Sequence, residues 1–192
     1  CTPTKAMVAS AYAARTASRA ADYGLVLGAA PRIDMKRVKA RTDEIVGNSS
    51  RGVEHWMEGL KHVTVYRGHA RFVGRTDMEV GSQRLRADRI FVDVGGRPRV
   101  PDMPGLDTVP YLTNVTMMDL DVVPAHLVVV GGSYVGLEFA QMFRRFGSRV
   151  TVVEMGPRLI AREDEEVSAA LQKMLEGEGI GGGWNRNITA PD

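Results

Sequence analysis

The sequence predicts an α/β fold organised around a βαβ unit, and three local patterns support that prediction. Two short apolar runs, residues 127–130 and 150–153, are rich in β-branched residues and are typical of strands buried on both faces. Gly131 and Gly132 interrupt the first run, and Gly147 precedes the second. Between the glycines, apolar side chains recur at helical spacing, at Val135, Phe139, Met142, Phe143 and Phe146.

The turn between the first strand and the helix resembles a dinucleotide-binding fingerprint. Gly131 permits a tight turn, and Gly136 lets the helix pack closely on the strand. Glu154 closes the second strand, near the ~20-residue spacing at which an acid accepts hydrogen bonds from ribose hydroxyls. A pyrophosphate would meet the helix N-terminus, where N–H groups and the positive dipole end are available. The predicted nucleotide-binding residues are Gly131, Gly132, Ser133, Tyr134, Val135, Gly136 and Glu154.

Ser133 departs from the fingerprint because it stands where a second glycine is usual. Serine is small, and its hydroxyl can donate a hydrogen bond to a phosphate oxygen, so this difference weakens the match without removing it. The alternative is an ordinary βαβ unit with a tight turn. The fingerprint has matching strands on both sides, and this context favours a Rossmann-type nucleotide site.

Composition and charge exclude several classes of protein. The chain has 192 residues, is 44% hydrophobic and 25% charged, and suits one or two globular domains. Its net charge is only +2, and its arginine clusters are not interleaved with aromatic residues, so we expect no nucleic-acid partner. No apolar run approaches the ~18 residues of a membrane span, so we expect no membrane partner. Cys1 is the only cysteine, which excludes an intrachain disulfide and a cysteine-based metal site.

Two helices are predicted in the first third of the chain. Residues 1–23 are alanine-rich, with Thr2 as N-cap, Pro3 at the first helical position and Gly24 at the end. A second helical stretch runs from Asp34 to about residue 59, either as one helix or as two that meet at residues 48–50. Within it, we interpret His55 and Trp56 as packing residues.

In residues 63–94 the spacing of apolar residues changes from that of a helix to that of short strands. Glycines separate five candidate strands, and we expect an antiparallel meander that leads into a final buried strand. The candidate strands are residues 63–66, 70–73, 78–80, 83–86 and 90–94. A proline-rich segment, residues 97–107, follows as an extended linker, and we place a domain boundary within residues 98–124.

One more helix is predicted after the βαβ unit. Asp164, Glu165 and Glu166 favour its first turn. Its expected buried face comprises Val167, Ala170, Leu171, Met174 and Leu175. A third parallel strand is due in residues 181–192, but that tail has little strand character, which suggests truncation or a disturbed reading frame.

Three separated motifs together resemble the flavin-dependent pyridine nucleotide-disulfide oxidoreductases, the family that includes dihydrolipoamide dehydrogenase and mercuric reductase. CTPTK opens a helix, VDVGGRPRVPDMPG bridges two domains, and VVVGGSYVGLEFAQMFRRFGSRVTVVE forms the βαβ unit. The resemblance covers nearly the whole chain and fails in the tail. It implies a partial FAD-binding domain in residues 1–110 and a partial NAD-binding Rossmann domain in residues 111–192.

The resemblance also implies roles for particular residues. Cys1 matches the flavin-facing cysteine of a C-x4-C pair, at a helix N-terminus that favours thiolate. Lys5 matches the lysine beside the flavin ring, and Glu138 would lie beneath the nicotinamide and pair with Lys5. His69 and Ala70 match the segment that meets the adenine of FAD.

Gly95 falls in a second flavin segment, and here the match is weaker. The family's A-T-G appears in this chain as Asp93, Val94 and Gly95, which removes a threonine hydroxyl. An aspartate near a flavin phosphate would also be unfavourable unless it turned away.

The family resemblance implies that hydride passes from NADH through FAD to a cysteine pair. The second cysteine, the FAD fingerprint and the dimerisation domain do not occur in this sequence, so we interpret it as an internal fragment that is inactive alone. We expect a cytoplasmic protein, a homodimer at full length, and a small-molecule or metal-ion substrate. The alternatives are a free-standing dinucleotide-binding module without redox activity and a non-functional translated fragment. Glu154 predicts NADH over NADPH, although Arg158 would soften that preference.

Overall fold

The computed structural model describes residues 1–184, which divide into two compact units. One unit contains residues 1–46 and the chain from residue 100 onward, and the other contains residues 47–99. The boundary of the two expected domains at residues 110 and 111 stays a prediction. The part of the predicted tail from residue 185 lies outside the described residues. Among the helices of residues 1–184, none combines the length and apolarity needed to cross a bilayer.

Helix α1, Thr2–Ser18, begins one residue earlier than the sequence predicts. Cys1 is the N-cap, in place of Thr2, and Pro3 lies in the first turn, where its missing N–H is no loss. A 3-10 turn, Ala20–Tyr23, continues the helix, and Gly24 ends it with a left-handed φ of 75°. Met7 and Ala11 are fully buried on one face of α1.

Helix α2, Met35–Glu58, is one continuous helix and does not break at residues 48–50. The carboxylate of Asp34 accepts a hydrogen bond from the backbone N–H of Arg37 at 3.1 Å, so Asp34 caps the helix as its sequence position suggests. The packing role expected for His55 and Trp56 is wrong. Both side chains are exposed, because the C-terminal half of α2 presents them to solvent.

The unit of residues 47–99 contains a three-stranded antiparallel meander, β1 Ala70–Phe72, β2 Asp77–Val80 and β3 Gln83–Arg86. The strands expected at 63–66 and 90–94 are absent from it. Both segments are β-branched and apolar, but a strand needs a partner for its backbone N–H and C=O groups. No other strand of the described chain pairs with them. Phe91 and Val94 accordingly lie 90% and 86% exposed.

The βαβ unit forms as the sequence predicts. Strand β4, His126–Val130, pairs in parallel with β5, Arg149–Glu154, and α3, Tyr134–Phe146, connects them. Gly147 ends α3 with a left-handed φ of 112°. Helix α4, Glu165–Gly177, then returns the chain to a third parallel strand, β6, Gly181–Trp184, so the sheet order is β4-β5-β6.

Two expectations about this sheet are wrong. Strand β4 is not buried on both faces, because α3 covers only one of them, and Val128 and Val130 are about half exposed on the other. The tail does provide a strand, β6, although its GGGW sequence has low strand propensity. Its backbone pairs with β5 from Thr151 onward, and the fully buried Ile180 anchors its start.

The hydrophobic core of the unit that contains residues 1–46 and the chain from residue 100 forms where α1 and α3 pack together on the sheet. The side chains of this core are almost completely buried. The rings of Phe143 and Phe146 pack edge to face, with their centroids 5.8 Å apart. The largest core side chains are Met7, Met142, Phe143, Val150, Val152, Leu159, Leu175 and Ile180. Helix α4 contributes Ser168 and Leu175 to burial, whereas Val167, Ala170 and Met174 are exposed, so its predicted face is partly wrong.

A buried ion pair ties α3 to the end of α4. The guanidinium of Arg145 donates two hydrogen bonds to the carboxylate of Glu178, at 2.7 and 2.9 Å, and Gln141 donates a third at 3.0 Å. The side chains of Arg145 and Glu178 are only 14% and 9% exposed. The hydrogen bond from Arg145 lowers the pKa of Glu178 below its ordinary value, despite the opposing effect of burial.

Candidate functional site

The turn between β4 and α3 favours glycine for two reasons, a left-handed backbone conformation at Gly131 and close packing at Gly132 and Gly136. Gly131 has a left-handed φ of 109°, and its N–H donates to the carbonyl oxygen of Val153 at 2.8 Å. A Cβ at Gly136 would collide with the carbonyl oxygen of Gly131, and one at Gly132 would lie 2.5 Å from Leu159 Cδ2. The glycines therefore bring the helix onto the strand and leave the turn's outer side without side chains.

Glu154 fastens this turn from the end of β5. Its Oε2 accepts the N–H of Gly132 at 2.6 Å, and its Oε1 accepts the N–H of Gly156 at 2.7 Å. Each carboxylate oxygen has a further lone pair, so the group can accept hydrogen bonds from a ligand as well. The sequence predicts Glu154 as a ribose ligand, and the structure adds that it organises the backbone on both sides of the site.

The N-terminus of α3 is open to an anion. Ser133 is the N-cap in an extended conformation, and no side chain of the described chain caps the helix. The first backbone N–H groups of a helix have no partner within the helix, and the dipole is positive at this end. Tyr134 is 70% exposed beside them. A pyrophosphate fits these residues, because the glycine turn and the uncapped amides offer donors and space together.

The loop after β5 closes the other side of the turn. The N–H of Ile160 donates to the carbonyl oxygen of Gly132 at 2.9 Å, and Leu159 is fully buried beneath it. Ile160 has a φ of 40°, a conformation that costs a β-branched residue energy and that the hydrogen bond holds in place. Pro157 predicts a turn here from the sequence, but the contact of this loop with the glycine turn was not predicted.

Lys5 and Glu138 form an ion pair, as the family resemblance implies. The ammonium of Lys5, on α1, donates to Oε1 of Glu138, on the first turns of α3. The two side chains are 58% and 36% exposed. The pair places a cation and a carboxylate next to the N-terminal half of α3.

Cys1 lies at the N-terminus of α1 and is exposed. Its carbonyl oxygen accepts the backbone N–H of Lys5 at 3.0 Å, so the two residues are one helical turn apart. The thiol and the Lys5–Glu138 pair therefore belong to the same end of α1.

His69, Ala70 and Gly95 belong to the unit of residues 47–99, and all three are exposed. Ala70 begins β1, and Gly95 has a left-handed φ of 68° with open space around it. Asp93 is also exposed. By themselves these residues do not form a cradle, so their assignment to FAD rests on the motif match. Within residues 1–184, no three or more His, Cys, Asp and Glu side chains are grouped to hold a metal ion.

Comparisons with known proteins match nearly the whole chain. Residues 1–191 match the family described as pyridine nucleotide-disulphide oxidoreductase. Mercuric reductase from Streptomyces lividans is 34% identical over 94% of this chain, and dihydrolipoyl dehydrogenase from Bacillus subtilis is 30% identical over 94%. The chain spans 39% and 40% of the lengths of these two relatives.

The fold is also similar to solved structures. The HOCl-induced flavoprotein disulfide reductase RclA from Escherichia coli matches 98% of this chain with a TM-score of 0.80 and 27% identity. This chain covers 40% of that protein.

Proposed function

The chain belongs to the pyridine nucleotide-disulphide oxidoreductase family, and we propose that it contributes the NADH site and the cysteine-bearing helix of an FAD-dependent disulfide reductase. The observation that carries the proposal is the uncapped α3 N-terminus beside the glycine turn and Glu154. Overall, NADH and one proton would reduce one disulfide to two thiols.

The nucleotide would bind across the turn between β4 and α3. The backbone N–H groups from Ser133 to Gly136 would hold the pyrophosphate, and Gly131 and Gly132 would let it approach. The carboxylate of Glu154 would accept hydrogen bonds from the two ribose hydroxyls. A 2′-phosphate there would meet a negative charge that is already fixed by two backbone amides, which favours NADH over NADPH.

The redox chemistry would take place at the N-terminal end of α1. Bound FAD would supply two-electron transfer between reduced nicotinamide and a disulfide. The ammonium of Lys5 would stabilise negative charge that develops beside it, and Glu138 would keep that ammonium in position. Cys1 would be the thiol of the redox pair nearer the flavin, with His69, Ala70 and Gly95 contributing backbone contacts to FAD. The helix N-terminus would favour the thiolate form, which is the nucleophile in thiol–disulfide exchange.

A free-standing nucleotide-binding module is the second candidate, and the family match along the chain does not favour it. The two candidates differ in redox activity, which only the part of a disulfide reductase would support within its whole enzyme. The 192-residue polypeptide has one cysteine, so we expect it to show no disulfide-dependent NADH consumption by itself. As part of an enzyme, we propose a small-molecule or metal-ion substrate, a homodimer and a cytoplasmic location.

Calorimetric titration of the chain with NADH and NADPH tests the proposed site. We expect the unmodified chain to bind NADH more tightly than NADPH, and Glu154→Ala to lose about tenfold in NADH affinity, since hydrogen bonds to a charged group are worth ~1.5–3 kcal/mol. Glu166→Ala, which removes an equal charge from exposed α4, should bind as the unmodified chain does. Equal affinity for both nucleotides in the unmodified chain and in Glu154→Ala would contradict the proposal.

A further inference from the structure

Arg158 lies beside the proposed nucleotide site but its guanidinium is directed to other partners. One terminal nitrogen donates to the carboxylate of Glu165 at 2.8 Å. The other donates to the carbonyl oxygens of Ala161 and Glu163 at 3.2 and 3.3 Å. Arg158 is about one third exposed, so solvent and ligands can reach part of it.

The backbone of Arg158 lies close to Gly156, the residue that lies two positions after the end of β5 and binds Glu154. Its carbonyl oxygen lies 3.8 Å from the position that a Cβ of Gly156 would occupy, and the N–H of Gly156 donates to the Glu154 carboxylate. Two residues later, the N–H of Ile160 binds the carbonyl oxygen of Gly132. The loop that carries Arg158 is therefore fixed against the end of the site where the adenosine ribose would lie.

The present position of the Arg158 side chain leaves one donor unsatisfied. Its Nε is buried and has no hydrogen-bond partner in the described chain. An unsatisfied buried donor is costly, and a guanidinium that turned outward would gain water or an anion at that nitrogen. Among the described residues, Glu165 is the only carboxylate that pairs with the Arg158 guanidinium and so keeps it from turning outward. Its own side chain is 84% exposed.

We propose that Glu165 determines coenzyme specificity by holding Arg158 away from the 2′ position of the ribose. A guanidinium that was released there would pair with a 2′-phosphate and offset the repulsion from Glu154. The inference rests on the proposed nucleotide site, and it assigns to an α4 residue a role in rejecting NADPH. Glu165 acts through Arg158 and is a positioning residue.

The test compares 5′-AMP with 2′,5′-ADP, which differ only in the 2′-phosphate, by calorimetric titration of the full 192-residue chain. Glu165→Gln should improve the affinity for 2′,5′-ADP relative to 5′-AMP by about two- to fivefold, the effect of releasing one surface ion pair. Combined with Arg158→Gln, the same substitution should change the ratio by less than about 1.5-fold, because no guanidinium is left to release.

Glu166→Gln is the matched control, since it removes the same charge from the neighbouring residue of α4. An equal gain in Glu166→Gln, or a gain that persists without Arg158, would reduce the effect to overall charge and overturn the inference. An unchanged ratio in Glu165→Gln, with normal 5′-AMP binding, would overturn it while leaving the proposed site intact. Failure of the unmodified chain to bind 5′-AMP would overturn the nucleotide site and this inference with it.

Discussion

Lys5 and Glu138 are 133 positions apart in the sequence, and their side chains form an ion pair that joins α1 to α3. The pair is half exposed, so water screens it, and exposed ion pairs contribute little to stability. The position of the pair is what distinguishes it, because it holds an ammonium and a carboxylate between α1, which carries Cys1, and α3.

The first prediction is that this pair contributes less than about 1 kcal/mol to the free energy of unfolding. A double-mutant cycle with Lys5→Met and Glu138→Gln, measured by urea denaturation, gives the coupling energy directly. Lys39→Met and Asp43→Asn form a matched cycle on α2, where the ion pair is local. A coupling energy above about 2 kcal/mol between Lys5 and Glu138 would contradict this prediction and show that the pair mainly stabilises the fold.

The second prediction concerns Gly136. A Cβ there would meet the carbonyl oxygen of Gly131 and would lie 3.1 Å from Val129 Cγ1, and the backbone atom cannot rotate away. Gly136→Ala should therefore destabilise the chain by about 1–3 kcal/mol and weaken NADH binding. Gly177→Ala, at the last residue of α4 with open space around it, should not lower the free energy of unfolding and should raise it by up to about 1 kcal/mol. Equal unfolding midpoints for the two variants would contradict the packing described for the turn.

The third prediction is that Glu178→Ala destabilises the chain by about 3 kcal/mol at neutral pH, because it leaves the buried guanidinium of Arg145 without its partner. The pKa of Glu178 is lowered in the folded state, so its contribution is fully present above the ordinary value of 4.5 and is lost as the pH falls through the folded pKa. The difference between Glu178→Ala and the unmodified chain should shrink below pH 4.5. Glu176→Ala, an exposed neighbour, should show a small difference that does not change with pH in this way.

The fourth prediction concerns Leu159, which is fully buried against the glycine turn. Leu159→Ala should cost about 2–5 kcal/mol of stability through lost burial and the cavity left behind. It should also weaken nucleotide binding, because the Gly132 backbone would lose its support. Leu25→Ala is the control, because it makes the same substitution at a side chain that is 61% exposed and should cost little stability. Thermal and urea unfolding of both variants would measure the contrast, and equal losses would contradict the burial of Leu159.

The βαβ unit could be predicted from sequence because its signals are local. Glycines mark both turns, and the apolar spacing of α3 distinguishes helix from strand. The Lys5–Glu138 pair was predicted from the family resemblance, because no local sequence pattern connects residues so far apart. A third parallel strand was expected after α4, but the low strand propensity of GGGW argued against it, and the absence of strands at 63–66 and 90–94 was not predicted. In both cases pairing depends on which neighbour is available rather than on propensity. The Gly132 amide that binds Glu154, and the carboxylate of Glu178 that binds Arg145, likewise depend on long-range placement.

Strand β4 has a practical consequence for handling the protein. It is an outer strand of the sheet formed by the described residues, and its Val128 and Val130 side chains are about half exposed on one face. An outer strand offers unpaired backbone groups to another chain, and adjacent apolar side chains strengthen such a contact. The purified polypeptide should therefore self-associate as its concentration rises, with light scattering increasing before any loss of helical circular dichroism. Replacing Val128 with lysine would place a charge on that face and should keep concentrated samples clear.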